Sequence, residues 1–227
     1  MWVSFDLYET LVKAGTRDLV FYLEQLTWRL RISTNINELL SIRERIVRDV
    51  SRGPFITIKE RDVKVIRAIY NHLSIDEPIE PAVDFLYQKY FHRPLFDDAK
   101  TTLNLLREMG FRLAIASNCD IEMCDRILAT HALRFDVVVT SEEVRAYKPN
   151  PAIFNVLIKR SGVEPTNILH VGDSYTADVV GAKDADLLSC LVQRPGNLPR
   201  DHDIGIEPDL IIHELSDLPP HLTAIRK

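Results

Sequence analysis

The chain has 227 residues, enough for one sizeable core or for a core domain carrying a smaller insertion. Hydrophobic residues make up 46% and charged residues 27%, the balance of an ordinary soluble globular protein. A formal net charge of −5 leaves no basic excess for a nucleic-acid backbone or an acidic membrane, so neither is an expected partner.

The N-terminus enters a strand-like run, Trp2–Phe5, with no signal segment ahead of it, which predicts a cytoplasmic protein. No window approaches the roughly 18 consecutive apolar residues of a spanning helix. Residues 15–93 then read as amphipathic helices. One carries Leu19, Tyr22, Leu23, Leu26 and Leu30; the next Leu39, Leu40, Arg43, Ile46, Val47 and Val50. A third carries Val63, Ile66, Ile69 and Tyr70, and a fourth Val83, Leu86, Tyr87 and Tyr90. Ser51–Pro54 and the Pro78/Pro81 region punctuate them.

From Ala99 the rhythm changes. A helix over Ala99–Met109 ends at Gly110, and strand-like runs follow at Arg112–Ala116, Val137–Val139, Ile168–Val171, Leu188–Val192 and Leu210–Ile212. A helix over Pro151–Arg160 ends near Gly162, and the stretch Pro195–Pro208 reads as a surface loop. Short, near-continuous apolar runs alternating with helices imply a parallel sheet covered on both faces. The expected fold is therefore α/β, a doubly wound, Rossmann-like core with an inserted all-helical subdomain. The core takes residues 1–14 and 94–227, and the insertion 15–93. Functional residues should gather at the carboxyl ends of the strands.

Polar clusters fall at those ends. Asp6 opens Asp6-Leu7-Tyr8-Glu9-Thr10-Leu11 after the first strand, and Ser117-Asn118 closes the second. Tyr147-Lys148-Pro149-Asn150-Pro151 precedes a helix, and Gly172-Asp173-Ser174 with Asp178 follows a later strand. Two carboxylates converging on one pocket repel unless a cation lies between them. Each residue taken singly also has a structural reading as a turn former, a cap or a solvated lysine. Cys119, Cys124 and Cys190 lack the spacing of a zinc site or disulfide framework and read as reduced thiols. His170, ending a strand, reads as a core residue or one standing behind the site.

The set of clusters, in this order, resembles the four motifs of the haloacid dehalogenase-like hydrolases. The insertion stands where that family places its helical cap. The resemblance implies that Asp6 is a nucleophile, that Thr10 orients it, that Ser117 binds the transferred group, and that Asn118 belongs to the same catalytic set. Lys148 would neutralise charge on the nucleophile and phosphoryl group. Asp6, the Tyr8 carbonyl, Asp173 and Asp178 would serve Mg²⁺, the last as a partner of metal-bound water. The activity implied is a Mg²⁺-dependent phosphatase acting on a small phosphorylated metabolite through an aspartyl-phosphate.

One position departs from that pattern. Most phosphatases of the family carry Asp, a general acid and base, two residues after the nucleophile; here Tyr8 stands there. A phenol, with an unperturbed pKa near 10, is a poor acid at neutral pH. Asp-x-Tyr is the pattern of the family's 2-haloacid dehalogenases, which use no metal and act on halogenated substrates. Asp173 argues the other way, because a spare carboxylate beside Asp6 repels a carboxylate substrate. Thr27-Trp28-Arg29 is only a faint echo of the dehalogenases' arginine segment, at the wrong spacing. A third possibility is a non-catalytic member that binds a phosphoryl ligand or a partner. The arginines Arg29, Arg31, Arg43, Arg45 and Arg48 read as solvated, with one of them a candidate for a substrate anion.

Overall fold

The computed structural model describes residues 1–194 and 205–225. The expected loop therefore lies, for residues 195–204, outside the described residues. Two compact units divide the chain: residues 1–13 with 94–227, and residues 14–93.

The first unit is built on strands β1 (Trp2–Phe5), β2 (Arg112–Ser117), β3 (Val137–Thr140), β4 (Ile168–Gly172), β5 (Leu188–Val192) and β6 (Leu210–Ile212). They form one 6-stranded sheet in the order β3-β2-β1-β4-β5-β6, with every pairing parallel. Alternate residues face opposite sides. Trp2, Ala114, Ala116 and Ile168 pack with Ile153, Phe154 and Leu157 of helix Ala152–Ser161. Val3, Phe5, Leu113 and Ile115 point the other way and are fully buried. Helix Ala99–Glu108, with Leu103 and Leu106 buried, packs on β2. Covered on both faces, the strands are necessarily apolar nearly throughout, which is why they were readable as runs.

The chain winds from β1 out to β3 on one side, then returns to β4 on the other. The crevice at the carboxyl ends of β1 and β4 is thus a topological switch point, where ligands bind in open α/β sheets. After β1 the backbone turns tightly: the amides of Leu11 and Val12 both donate to the Leu7 carbonyl, and Glu9 takes a left-handed φ of 61°.

The second unit holds helices α1 (Arg17–Leu30), α2 (Ile36–Arg52), α3 (Ile58–His72) and α4 (Glu80–Phe91). Its core joins Leu19, Leu23 and Leu26 to Leu39, Ile66, Ile69 and Leu86. Helix α3 starts at a capping box: the Glu60 amide donates to Thr57 Oγ1 at 3.1 Å and the Thr57 amide to Glu60 Oε2 at 2.7 Å. The buried face of α2 is Leu39 and Ile42. Arg43, read from the sequence as part of that face, lines a cleft instead. No helix among the described residues is long and apolar enough to cross a membrane.

Candidate active site

Strand ends bring the sequence-predicted residues of the first unit together. The Asp6 amide donates to the Val171 carbonyl at 2.8 Å, which ties the first residue after β1 to the end of β4. One carboxylate oxygen each from Asp6, Asp173 and Asp178 lie within 4.8 Å of one another. Asp178 belongs to a π-helical turn, Tyr175–Val180, that follows the Gly172-Asp173-Ser174 corner. Gly172 is required there, since a Cβ would sit 2.2 Å from Asp178 Cγ.

Lys148 organises these acids. Its Nζ donates to Asp6 Oδ1 at 2.8 Å, to the Ala116 carbonyl at 2.8 Å and to Asp178 Oδ1 at 2.5 Å. All three ammonium protons are used, on a side chain only 1% exposed. Burial alone would lower the lysine's pKa, but the charges of Asp178 and Asp6 outweigh it and raise the value overall. Burial would likewise raise the Asp178 pKa, and Lys148 with His170 holds it well below the ordinary carboxylate range.

Asn118 serves Lys148 and is not turned to a ligand. Its Oδ1 accepts from the Lys148 amide at 2.7 Å, and its Nδ2 donates to the Lys148 carbonyl at 3.2 Å. Ser117 differs. Its hydroxyl is buried with no hydrogen-bond partner among the described residues, and leaving it so costs free energy. Thr10 Oγ1 lies 3.4 Å from Asp173 Oδ1, so its hydroxyl turns toward that acid rather than toward Asp6.

The donor set fits a divalent cation. Among the described residues the cluster sets three carboxylates beside one lysine in a mostly buried site, and Mg²⁺ takes one or two carboxylates together with carbonyl, water and phosphate oxygens. The acids are not equivalent, however. Asp178 Oδ1 already receives Lys148 and His170, and its Oδ2 receives the Ser174 amide at 2.9 Å. Asp6 is bonded by Lys148 through Oδ1 and, among the described residues, not through Oδ2, which leaves it an oxygen for an ion.

His170, expected in the core or behind the site, is fully buried between Asp178 and Ser4. A further support escaped the reading of the sequence. Arg194 grips the loop after β1: it donates to the Thr10 carbonyl at 3.0 Å and to both Asp98 oxygens at 3.0 and 3.1 Å. Its guanidinium also stacks 3.7 Å from the Phe96 ring centroid. Nothing local in the sequence marks Arg194, because its partners are distant along the chain.

Fold and site together define a class: a doubly wound α/β protein with an acidic, lysine-bridged centre at its switch point. A family model described as haloacid dehalogenase-like hydrolase matches residues 1–186, and the chain belongs to that family of hydrolases. It is 37% identical over 153 residues to haloacid dehalogenase-like hydrolase domain-containing protein 3 of Mus musculus, covering 64% of this chain and 60% of that one. The chain thus spans about three fifths of that relative's length. It is 36% identical over 109 residues to a glyceraldehyde 3-phosphate phosphatase of Methanopyrus kandleri, covering 47% of this chain and 46% of the other. Among solved structures, an L-2-haloacid dehalogenase superposes with a TM-score of 0.79 over 98% of both chains at 23% identity, a likeness of fold.

Proposed function

We propose that this hydrolase is a Mg²⁺-dependent phosphohydrolase working through an aspartyl-phosphate on Asp6. The observation that carries the reading is the charge cluster: a fully engaged Lys148 bonds Asp6 and Asp178, and a carboxylate oxygen of Asp173 lies within 4.8 Å of theirs. A carboxylate substrate would meet repulsion there, whereas a cation with a phosphoryl group would be neutralised.

Asp6, Asp173 and the Tyr8 carbonyl would hold Mg²⁺, with Asp178 off the ion and on Lys148. The bound cation would supply charge to offset the phosphoryl oxygens. Asp6, held by a hydrogen bond from Lys148, attacks phosphorus through an oxygen, and the leaving oxygen departs with the bond's electron pair. Water then cleaves the acyl phosphate, dividing one hard step into two. Ser117 Oγ is the donor for a phosphoryl oxygen. Lys148 acts on that group through charge alone, since each of its protons already has an acceptor. With Tyr8 in place of a carboxylic acid, the substrates favoured are acyl or aryl phosphates, whose leaving groups need little protonation. A small-molecule substrate and the reading of residues 15–93 as a cap accompany this proposal.

Tyr8 favours a second reading, a metal-free 2-haloacid dehalogenase using Asp6. One panel separates the two: p-nitrophenyl phosphate and 2-chloropropionate, each with Mg²⁺ or chelator. Release of nitrophenol that depends on Mg²⁺ is expected. Chloride release with chelator present, without phosphatase turnover, would overturn the proposal.

A further inference from the structure

Ser4 and His170 are polar residues in the middle of a sheet whose strands are mostly apolar. They are direct neighbours, since their Cα atoms are paired between β1 and β4. Both are fully buried. Burying a hydroxyl and an imidazole costs free energy unless both are hydrogen-bonded. Here both are: His170 Nδ1 lies 3.1 Å from Ser4 Oγ, and His170 Nε2 lies 3.1 Å from Asp178 Oδ1. Phe154 packs edge-to-face on the ring, with centroids 4.9 Å apart, and fixes its plane.

We propose that Ser4 and His170 form a positioning relay that holds the Asp178 carboxylate, and through it Lys148, against the nucleophile Asp6. The inference rests on the nucleophilic role of Asp6 argued above.

Chemistry sets the direction of each bond. A carboxylate accepts, so Nε2 must carry the proton that faces Asp178. In a neutral ring Nδ1 is then an acceptor, and Ser4 must donate its hydroxyl proton. The ring is fully buried, where a neutral imidazole costs less than a charged one.

The relay matters because Lys148 divides its protons between two acids. Asp178 is fixed from both sides, by His170 on Oδ1 and by the Ser174 amide on Oδ2. A fixed Asp178 pulls Lys148 to one side and leaves it on Oδ1 of Asp6 alone. If Asp178 were free to turn, Lys148 would be free to settle on the attacking carboxylate and blunt it. His170 touches neither substrate nor reacting atoms, so it is a positioning residue.

Two measurements on the full chain test this. In the first, the histidines are ¹⁵N-labelled and the ring tautomers are read by long-range ¹H–¹⁵N spectra, with His170 assigned by its loss in His170→Gln. The ring should be neutral and protonated at Nε2. A ring protonated at Nδ1, or at both nitrogens at neutral pH, overturns the relay whatever the substrate.

In the second, p-nitrophenyl phosphate turnover with Mg²⁺ is compared among variants. His170→Leu should lower kcat about 10–100-fold, the range for lost outer partners of a site, with KM changed far less. His170→Gln, whose amide can still donate to Asp178, should recover most of that loss. Ser4→Ala keeps the ring and its packing, and should give a mixed tautomer and a kcat loss of a few-fold; it also decides the matter if His170→Leu does not fold. Leu and Gln variants equally impaired, or a Ser4→Ala variant with unchanged tautomer and kcat, would overturn the proposal. A wild type with no phosphatase activity would instead refute the phosphohydrolase, while the tautomer measurement still decides the relay.

Discussion

Each unit of this chain buries charge, and the helical cleft and the strand-end site do so by different rules. In the helical unit acids have guanidinium partners of their own. Asp62, 6% exposed, accepts from Arg61 at 2.9 Å and from the Tyr90 hydroxyl at 3.0 Å, and Asp18 pairs with Arg93 at 2.8 Å. In the sheet unit Lys148 is shared between Asp6 and Asp178, with Asp173 close by. The balances are opposite. Around the helical cleft Arg43 is added to the two pairs, and burial and the charge of Arg61 lower its pKa. At the strand ends the excess is negative. Dedicated pairs make a cluster that is structurally self-contained, whereas a shared cation leaves charge that a ligand must complete.

The sharpest way to break this comparison is to remove the shared cation. Lys148→Met leaves two buried carboxylates uncompensated, and it should cost about 3–5 kcal/mol in denaturant unfolding and abolish turnover. In the helical unit, Asp62→Ala removes the acceptor of a pair whose arginine still reaches water, since the Arg61 side chain is 15% exposed. It should cost about 1–3 kcal/mol by the same measurement. If the two losses were equal, sharing would confer no special fragility.

The smallest effect is expected at the surface, where neither rule applies. Asp136 pairs with Arg112 at 2.7 Å and accepts from the Leu113 amide at 2.9 Å. Burial would raise its pKa, but the amide and the guanidinium lower it overall. A depressed folded pKa means that the folded state binds fewer protons than the unfolded chain. This contribution is therefore present above the unfolded value, near 3.9, and is lost as pH falls through the folded one. Asp136→Asn should reduce stability by about 1 kcal/mol or less at neutral pH and flatten the acid limb of unfolding measured against pH.

Much of the sheet unit was legible because its strands are covered on both faces. The run Arg112–Ala116 is one residue short of the observed strand, and Leu188–Val192 and Leu210–Ile212 coincide with theirs. Faces of the helices were less legible. Periodicity placed Arg43 with the apolar residues of α2, yet Ile42 is the one that packs, because one step around a helix is enough to exchange them. The π-helical turn that carries Asp178 left no mark at all in the apolar pattern.

The sequence by itself determined that Asp6, Ser117 and Asp173 stand at strand ends, because hydrophobic runs and the polar residues that close them are local properties. Only the tertiary structure decided what those residues face. Asn118 is spent on the Lys148 backbone, Thr10 turns to Asp173, and Ser4 meets His170 across two strands. Such contacts join residues as many as 166 positions apart. They depend on sheet order and register, which no short window of sequence contains.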